Sequence, residues 1–183
     1  MNNSQGSGDH LEKNDYRTIE QTMEKLSNGT RRLAAQLTTS ANFDSLWNVL
    51  TDYDNLNVYI PNLLSSKKIF QKNNNVHLKQ IGAQDFLGMK FSAEVTIDLF
   101  EERENGLLRF NLIKGDFRKF EGSWKIQNIK NTDKNSLIYD LTVQGCQWMP
   151  IGMIEKRLKK DLSENLLAVD KQAKSSKISL EFK

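Results

Sequence analysis

An amphipathic run near the C-terminal end of the chain sets the terms for everything before it. From Ile151 to about Lys174, Ile151, Ile154, Leu158, Leu162, Leu166 and Val169 recur at three- and four-residue steps, while Lys156, Lys159, Lys160, Ser163 and Lys171 fall elsewhere. Pro150 stands where a first helical turn tolerates a missing N–H, and no proline or glycine interrupts the run from Met153 to Ala173. About 22 residues rising about 1.5 Å each make a rod of about 33 Å. Each fully buried large aliphatic side chain is stabilising by about 1.5–3 kcal/mol, so the stripe requires a broad apolar partner.

The preceding sequence supplies that partner as strands. Leu33, Ala35 and Leu37 alternate with polar neighbours over Arg31–Thr39 and predict a first strand. The period then changes: Phe43, Leu46, Trp47 and Leu50 follow the cap candidates Ser40 to Asp44 at helical spacing, and a second short turn from Asn55 ends at Pro61. Leu63–Gln71 and Val76–Gly82 flank a polar Lys72–Asn75 loop as a hairpin. Lys90–Glu101 places Phe91, Ala93, Val95, Ile97 and Leu99 on one face. Leu108, Phe110 and Leu112, then Phe120, Gly122, Trp124 and Ile126, then Leu137, Tyr139, Leu141 and Val143 continue the same alternation. The expectation is an α+β domain: a curved antiparallel seven-stranded sheet wrapped around a long C-terminal helix, with two short helices after the first strand.

At the ends the signal weakens. Residues 1–16 are polar and rich in Asn, Ser and Gly, predicting a disordered tail. Ile19, Met23 and Leu26 carry a weak helical spacing, predicting a peripheral segment over 17–29 that closes at Ser27-Asn28-Gly29. The domain proper is expected over 30–174, with a C-terminal tail over 175–183.

Composition excludes more than it proposes. The 26 Lys plus Arg against 23 Asp plus Glu leave +3, without the clustered excess of a nucleic-acid binder. Nucleic acid is therefore not an expected partner, and the oligomeric state is open. A lone Cys146, with His10 and His77, makes a poor zinc set, and no glycine loop with a lysine is present to cradle a phosphate. No metal or cofactor is called for. The opening residues lack a basic start and an apolar core, so a reducing, cytoplasmic setting is the expectation.

Four stretches carry a family resemblance. Leu46-Trp47-Asn48-Val49-Leu50-Thr51-Asp52-Tyr53, followed by Tyr59-Ile60-Pro61-Asn62-Leu63, resembles the entry to the second strand in the START and polyketide cyclase/dehydrase (SRPBCC, coenzyme Q-binding-like) superfamily. Gly115-Asp116-Phe117-Arg118-Lys119-Phe120-Glu121-Gly122-Ser123-Trp124 and Asp161-Leu162-Ser163-Glu164-Asn165-Leu166 resemble patterns of cyclase/dehydrase-like proteins of photosynthetic lineages. The resemblance spans about residues 30–174 and implies the helix-grip fold. The superfamily contains lipid carriers, quinone-binding proteins, aromatic cyclases and a ribosome-associated branch, so it does not choose among activities. Gly145 and Gln147 stand where relatives often carry proline, which implies a different cavity mouth.

Between sheet and helix the inward residues are Phe91, Val95, Ile97, Phe110, Leu112, Phe120, Trp124, Tyr139, Leu141, Ile154 and Leu158. Alternation is satisfied equally by a packed interior and by a hollow one. Asp85-Phe86-Leu87-Gly88-Met89 is either a lid or a buried hairpin end, and Trp148, Met149, Ile151 and Met153 either touch a ligand or membrane or simply pack. Lys156-Arg157 and Lys159-Lys160 read as solvated helix surface, with acidic lipid headgroups or RNA as the other reading. His77 reads as an outward strand residue and Cys146 as a small apolar one, while Gln80 and Tyr139 are the polar groups that alternation sends inward. The leading expectation is a binding module that carries a hydrophobic small molecule of the lipid or isoprenoid-quinone class, without covalent chemistry and with transient membrane-surface contact. A polyketide cyclase/dehydratase using Tyr139 and a ribosome- or protein-interaction domain are the alternatives.

Overall fold

A computed structural model describes residues 19–86, 89–146 and 151–181; within these, the side chains of 84–86, 89–91, 151–154, 156 and 176–181 lie outside the description. Strands β1 (Ile19–Lys25) and β2 (Arg31–Thr39) are followed by helices α1 (Phe43–Thr51) and α2 (Leu56–Tyr59). A meander of β3 (Leu63–Lys72), β4 (Asn75–Phe86), β5 (Met89–Glu102), β6 (Leu107–Gly115), β7 (Phe117–Asn128) and β8 (Asn135–Gly145) leads to α3 (Ile151–Glu181). Sheet order is β1-β2-β8-β7-β6-β5-β4-β3, and every paired neighbour is antiparallel.

That order explains the two short helices. β2 lies beside β8, whereas β3 forms the opposite edge, so α1 and α2 must carry the chain across the full width of the sheet. Asn42 caps α1 by accepting the Ser45 N–H at 2.8 Å, and Leu46, Trp47, Val49 and Leu50 bury its inner face. Pro61 follows the end of α2, as the bias against a helical residue before proline dictates. The meander then returns strand by strand until β8 meets β2, with Leu33 opposite Leu141 and Leu37 opposite Leu137.

The sheet has eight strands instead of the expected seven. Residues 19–25, expected as a helical peripheral segment, form β1 and pair residue for residue with β2. Ile19 and Met23 are four apart, a spacing shared by one face of a helix and one face of a strand. Gln21 occupies the intervening inward-facing strand position and donates to Lys159 O of α3 at 2.6 Å, so this edge is tied down by a polar contact that apolar periodicity does not register. α3 also exceeds its expected end near Lys174 and runs to Glu181, because no glycine or proline in 175–181 stops it. The tail expected over 1–16 lies outside the described residues.

α3 packs against α1, β2 and β8, and Leu162, Leu166, Val169 and Ala173 are almost wholly buried there. Asp170 is buried in the same contact, where it accepts from Thr39 Oγ1 and pairs with Lys174 Nζ at 3.1 Å; Thr39 Oγ1 in turn accepts the Ala41 N–H at 2.9 Å. Further along the sheet, from β4 to β7, the two layers part.

Candidate ligand cavity

A cavity of about 350 Å³ occupies that gap. Its sheet wall is built from strand positions two apart: Leu78, Gln80 and Gly82 of β4, and Ala93, Val95, Ile97 and Leu99 of β5. Leu108 and Phe110 of β6, Phe120 and Trp124 of β7, and Tyr139 and Leu141 of β8 complete it. Tyr53 closes one end, its phenol donating to Glu101 Oε1 at 2.6 Å, and Pro61, Asn62 and Leu63 form part of the rim. The volume falls at the small end of the roughly 300–1,000 Å³ of small-molecule sites.

Of the residues that alternation sent inward, Val95, Ile97, Phe110, Phe120, Trp124, Tyr139, Leu141 and Leu158 line this space. Leu112, opposite Ile97 on β5 and the last β6 residue before the register shift at Thr96/Ile97, packs against the core and is not among the side chains lining the cavity. Phe91 is on β5 and Ile154 on α3, and their side chains lie outside the described residues. So do those of the expected lid, Asp85 to Met89, and of Trp148, Met149, Ile151 and Met153 at the helix entrance.

The wall is rich in rings. Trp124 stacks on Tyr139 with centroids 4.0 Å apart and planes 9° from parallel, and Phe110 meets both Phe120 and Tyr139 at 5.6 and 6.3 Å. Burial, reinforced by the Asp161 carboxylate, raises the Tyr139 phenol well above its ordinary value of 10.0, so it stays protonated across physiological pH. It is a neutral hydroxyl facing an apolar space.

Sequence reasoning missed the polar edge of this cavity. Arg157, Asp161 and Asn165 line it from α3 at successive four-residue steps, one position ahead of Leu158, Leu162 and Leu166. Arg157 Nε lies 3.0 Å from Asp161 Oδ1; the charges pair, although the N–H does not line up for a hydrogen bond. Asn62 Nδ2 approaches the same carboxylate oxygen at 3.4 Å from the rim. Asn165 Oδ1 is buried and accepts no hydrogen bond among the described residues. The available signal was a four-residue ladder of basic, acidic and amide groups running beside an apolar stripe. Arg157 read as solvated helix surface with Lys156, Lys159 and Lys160, and the same four-residue spacing joins Lys160 to Glu164, which pair away from the cavity.

The other candidates fall outside. His77 lies on β4 with its ring against Phe70 and Nε2 3.5 Å from Asp98, half exposed and away from the cavity. Cys146 is half-buried and unpaired by disulfide. Among the described residues no group of three or more His, Cys, Asp or Glu is arranged to hold a metal ion, and no helix is long and apolar enough to cross a membrane.

Comparison with known proteins agrees with this geometry. A family described as polyketide cyclase / dehydrase and lipid transport matches residues 39–170. No curated protein matches the sequence. A STAR-related lipid transfer protein from Xanthomonas axonopodis superposes with a TM-score of 0.73 at 12% identity, over 85% of this chain and 93% of its own. The Zhui aromatase/cyclase from Streptomyces sp. R1128 gives 0.67 at 14%, over 79% and 94%. A START superfamily protein from Mycobacterium smegmatis gives 0.63 at 17%, over 79% and 97%. At these identities the likeness is one of fold, and it confirms the helix-grip architecture expected from the residues.

Proposed function

The chain belongs to the polyketide cyclase / dehydrase and lipid transport family, and from that membership we propose that it holds and carries a hydrophobic small molecule, of the lipid or isoprenoid-quinone class, without acting on it covalently. The observation that carries this reading is the cavity itself: apolar side chains of five strands and α3 face one another across about 350 Å³ that they do not fill. Removing an apolar ligand from water into such a space is favourable by about 25 cal/mol per Å² of surface buried. Loading from a membrane surface through a transient contact belongs to the same reading. Val58 and Leu64, 76% and 62% exposed, stand close in sequence to the cavity-lining Pro61 and Asn62 and offer apolar surface for such a contact.

Incubating the purified protein with whole-lipid extracts, recovering it and identifying co-purified molecules by native mass spectrometry tests the proposal. A stoichiometric hydrophobic passenger is expected. An empty protein from every extract removes it.

A second reading, a cyclase or dehydratase, is favoured by one observation. Tyr139 lines the cavity and stays protonated, which puts a hydrogen-bond donor there that would orient a substrate carbonyl. Full turnover of any substrate by a Tyr139→Phe variant would exclude that role.

A further inference from the structure

We propose that the outer edge of the sheet, strand β3, is the surface by which the protein docks on a membrane rich in anionic phospholipid. This rests on the carrier reading above and adds where the carrier meets its membrane and what charge that membrane bears. Two biases coincide on one stretch of chain. From Asn55 to Gln84 the sequence holds four lysines and no aspartate or glutamate, although the whole chain has 23 acidic residues. Among the described residues, half of the exposed large apolar side chains fall in the same stretch: Val58 of α2, and Leu64, Ile69 and Phe70 of β3.

β3 is the last strand of the sheet, so one of its sides has no neighbouring strand. Every residue from Lys67 to Lys72 is exposed, which places Lys67, Lys68 and Lys72 around Ile69 and Phe70 in a single run. Lys68 Nζ donates to the neutral Gln71 amide at 2.8 Å, and among the described residues none of these three lysines pairs with a carboxylate. Apolar side chains ringed by unpaired ammonium groups match a bilayer, whose acyl chains lie just beneath its negatively charged headgroups.

Other occupants match less of the surface. The pairing of β3 with β4 is irregular between Leu63 and Ser65 and again between Lys68 and Phe70, and such irregularities, together with edge lysines, keep another strand from adding on. A nucleic acid would use the lysines but leave Leu64 and Ile69 in water. The basic run of α3 is no equivalent, because Glu155, Asp161, Glu164 and Asp170 are interleaved with it and Lys160 pairs with Glu164 at 3.4 Å. The edge also suits a carrier: β3 begins at Leu63, which lines the cavity together with Pro61 and Asn62, so docking there brings lipid close to the cavity.

Flotation of the full chain with phosphatidylcholine vesicles, with and without phosphatidylserine, tests the proposal. Binding is expected only with phosphatidylserine, and it should weaken as salt rises. A lysine near an anionic surface contributes about fivefold, so Lys67→Gln, Lys68→Gln and Lys72→Gln together should weaken binding about a hundredfold. Ile69→Ser with Phe70→Ser should weaken it about tenfold or more, with the fold of each variant checked by its thermal melt. Lys125→Gln, Lys130→Gln and Lys134→Gln remove the same charge from exposed positions elsewhere and should leave binding unchanged. Equal losses in the two lysine triples would show a response to net charge and overturn the docking edge, as would undiminished binding by the β3 triple. Tighter binding to single-stranded RNA than to the anionic vesicles, insensitive to Ile69 and Phe70, would overturn it in favour of nucleic acid. Uptake of N-phenyl-1-naphthylamine in vesicle-free buffer reads the cavity separately: uptake without vesicle binding overturns the docking edge alone, and vesicle binding without uptake overturns the carrier reading.

Discussion

Arg31 of β2 donates its Nε–H to Oε1 of Glu155 in the first turns of α3 at 2.6 Å, joining the sheet to the cavity-facing end of the helix. The Arg31 side chain is only 10% exposed, and its Nη1 also donates to Thr30 O at 2.9 Å, so the guanidinium is held in one orientation. Lys25 Nζ of β1 lies 3.7 Å from the other Glu155 oxygen.

The pairing predicts an acid-sensitive link. The hydrogen bond from Arg31 lowers the Glu155 carboxyl from its ordinary 4.5, with the charges of Arg31 and Lys25 adding to it against a smaller opposing effect of burial. A lowered carboxylate contributes stability that is present above its unfolded value and lost as the pH falls through its folded value. The melting-temperature difference between wild type and Glu155→Gln should therefore be constant near neutrality, begin to shrink as the pH falls toward the ordinary 4.5, and vanish once the pH is below the lowered folded value. A difference that persists unchanged into strong acid would show that the glutamate acts through packing and not through charge.

Gly122 of β7 lies where no larger residue fits. A Cβ there would stand 2.0 Å from Asp140 O and 2.9 Å from the Phe110 ring. The glycine lets β7 and β8 approach closely and leaves room for the ring that forms part of the cavity wall. Gly122→Ala is expected to cost about 1–3 kcal/mol in urea unfolding. A cost under a few tenths would mean that the two strands separate freely at this point.

Asp170 holds α3 to the end of β2 through Thr39. Replacing it with Ala removes a buried charged acceptor, leaving the Thr39 hydroxyl without that partner and Lys174 without its ion pair. A loss of about 1.5–3 kcal/mol is expected. Asp170→Asn, which keeps an oxygen in place, should recover part of it, and equal losses in the two variants would contradict the hydrogen-bonding account.

Leu158 faces the cavity from α3, so Leu158→Trp should occupy the space a ligand takes. Hydrophobic fluorophore uptake is expected to fall at least tenfold, while the melting temperature holds or rises as the void fills. Undiminished uptake would locate binding elsewhere.

The sheet wall of the site was legible because strands repeat every two residues, and each inward position could be assigned from its neighbours. Val95, Ile97, Phe110, Phe120, Trp124, Tyr139 and Leu141 line the cavity for that reason alone. The helix wall was less legible. An apolar stripe identifies the centre of a helix face, while Arg157, Asp161 and Asn165 sit about 100° to one side of Leu158, Leu162 and Leu166. Whether such an edge meets water or a cavity depends on how far the sheet curves away. β1 was misread for a different reason: two apolar residues separated by Gln21 fit either period, and only its pairing with β2 decides.

The crossing of α1 and α2 has a consequence for how the molecule assembles. β4 and β5 are consecutive in the chain and paired along their length, so they can zip locally, but β2 has no partner on its inner side until β8, some hundred residues later, is in place. Non-local pairings carry the larger loop-closure entropy and form late. Pulse-labelling hydrogen exchange during refolding should find β4 and β5 amides protected ahead of those in β2, with the greasy interior sealed only in the final step, when the first strands dock against the last.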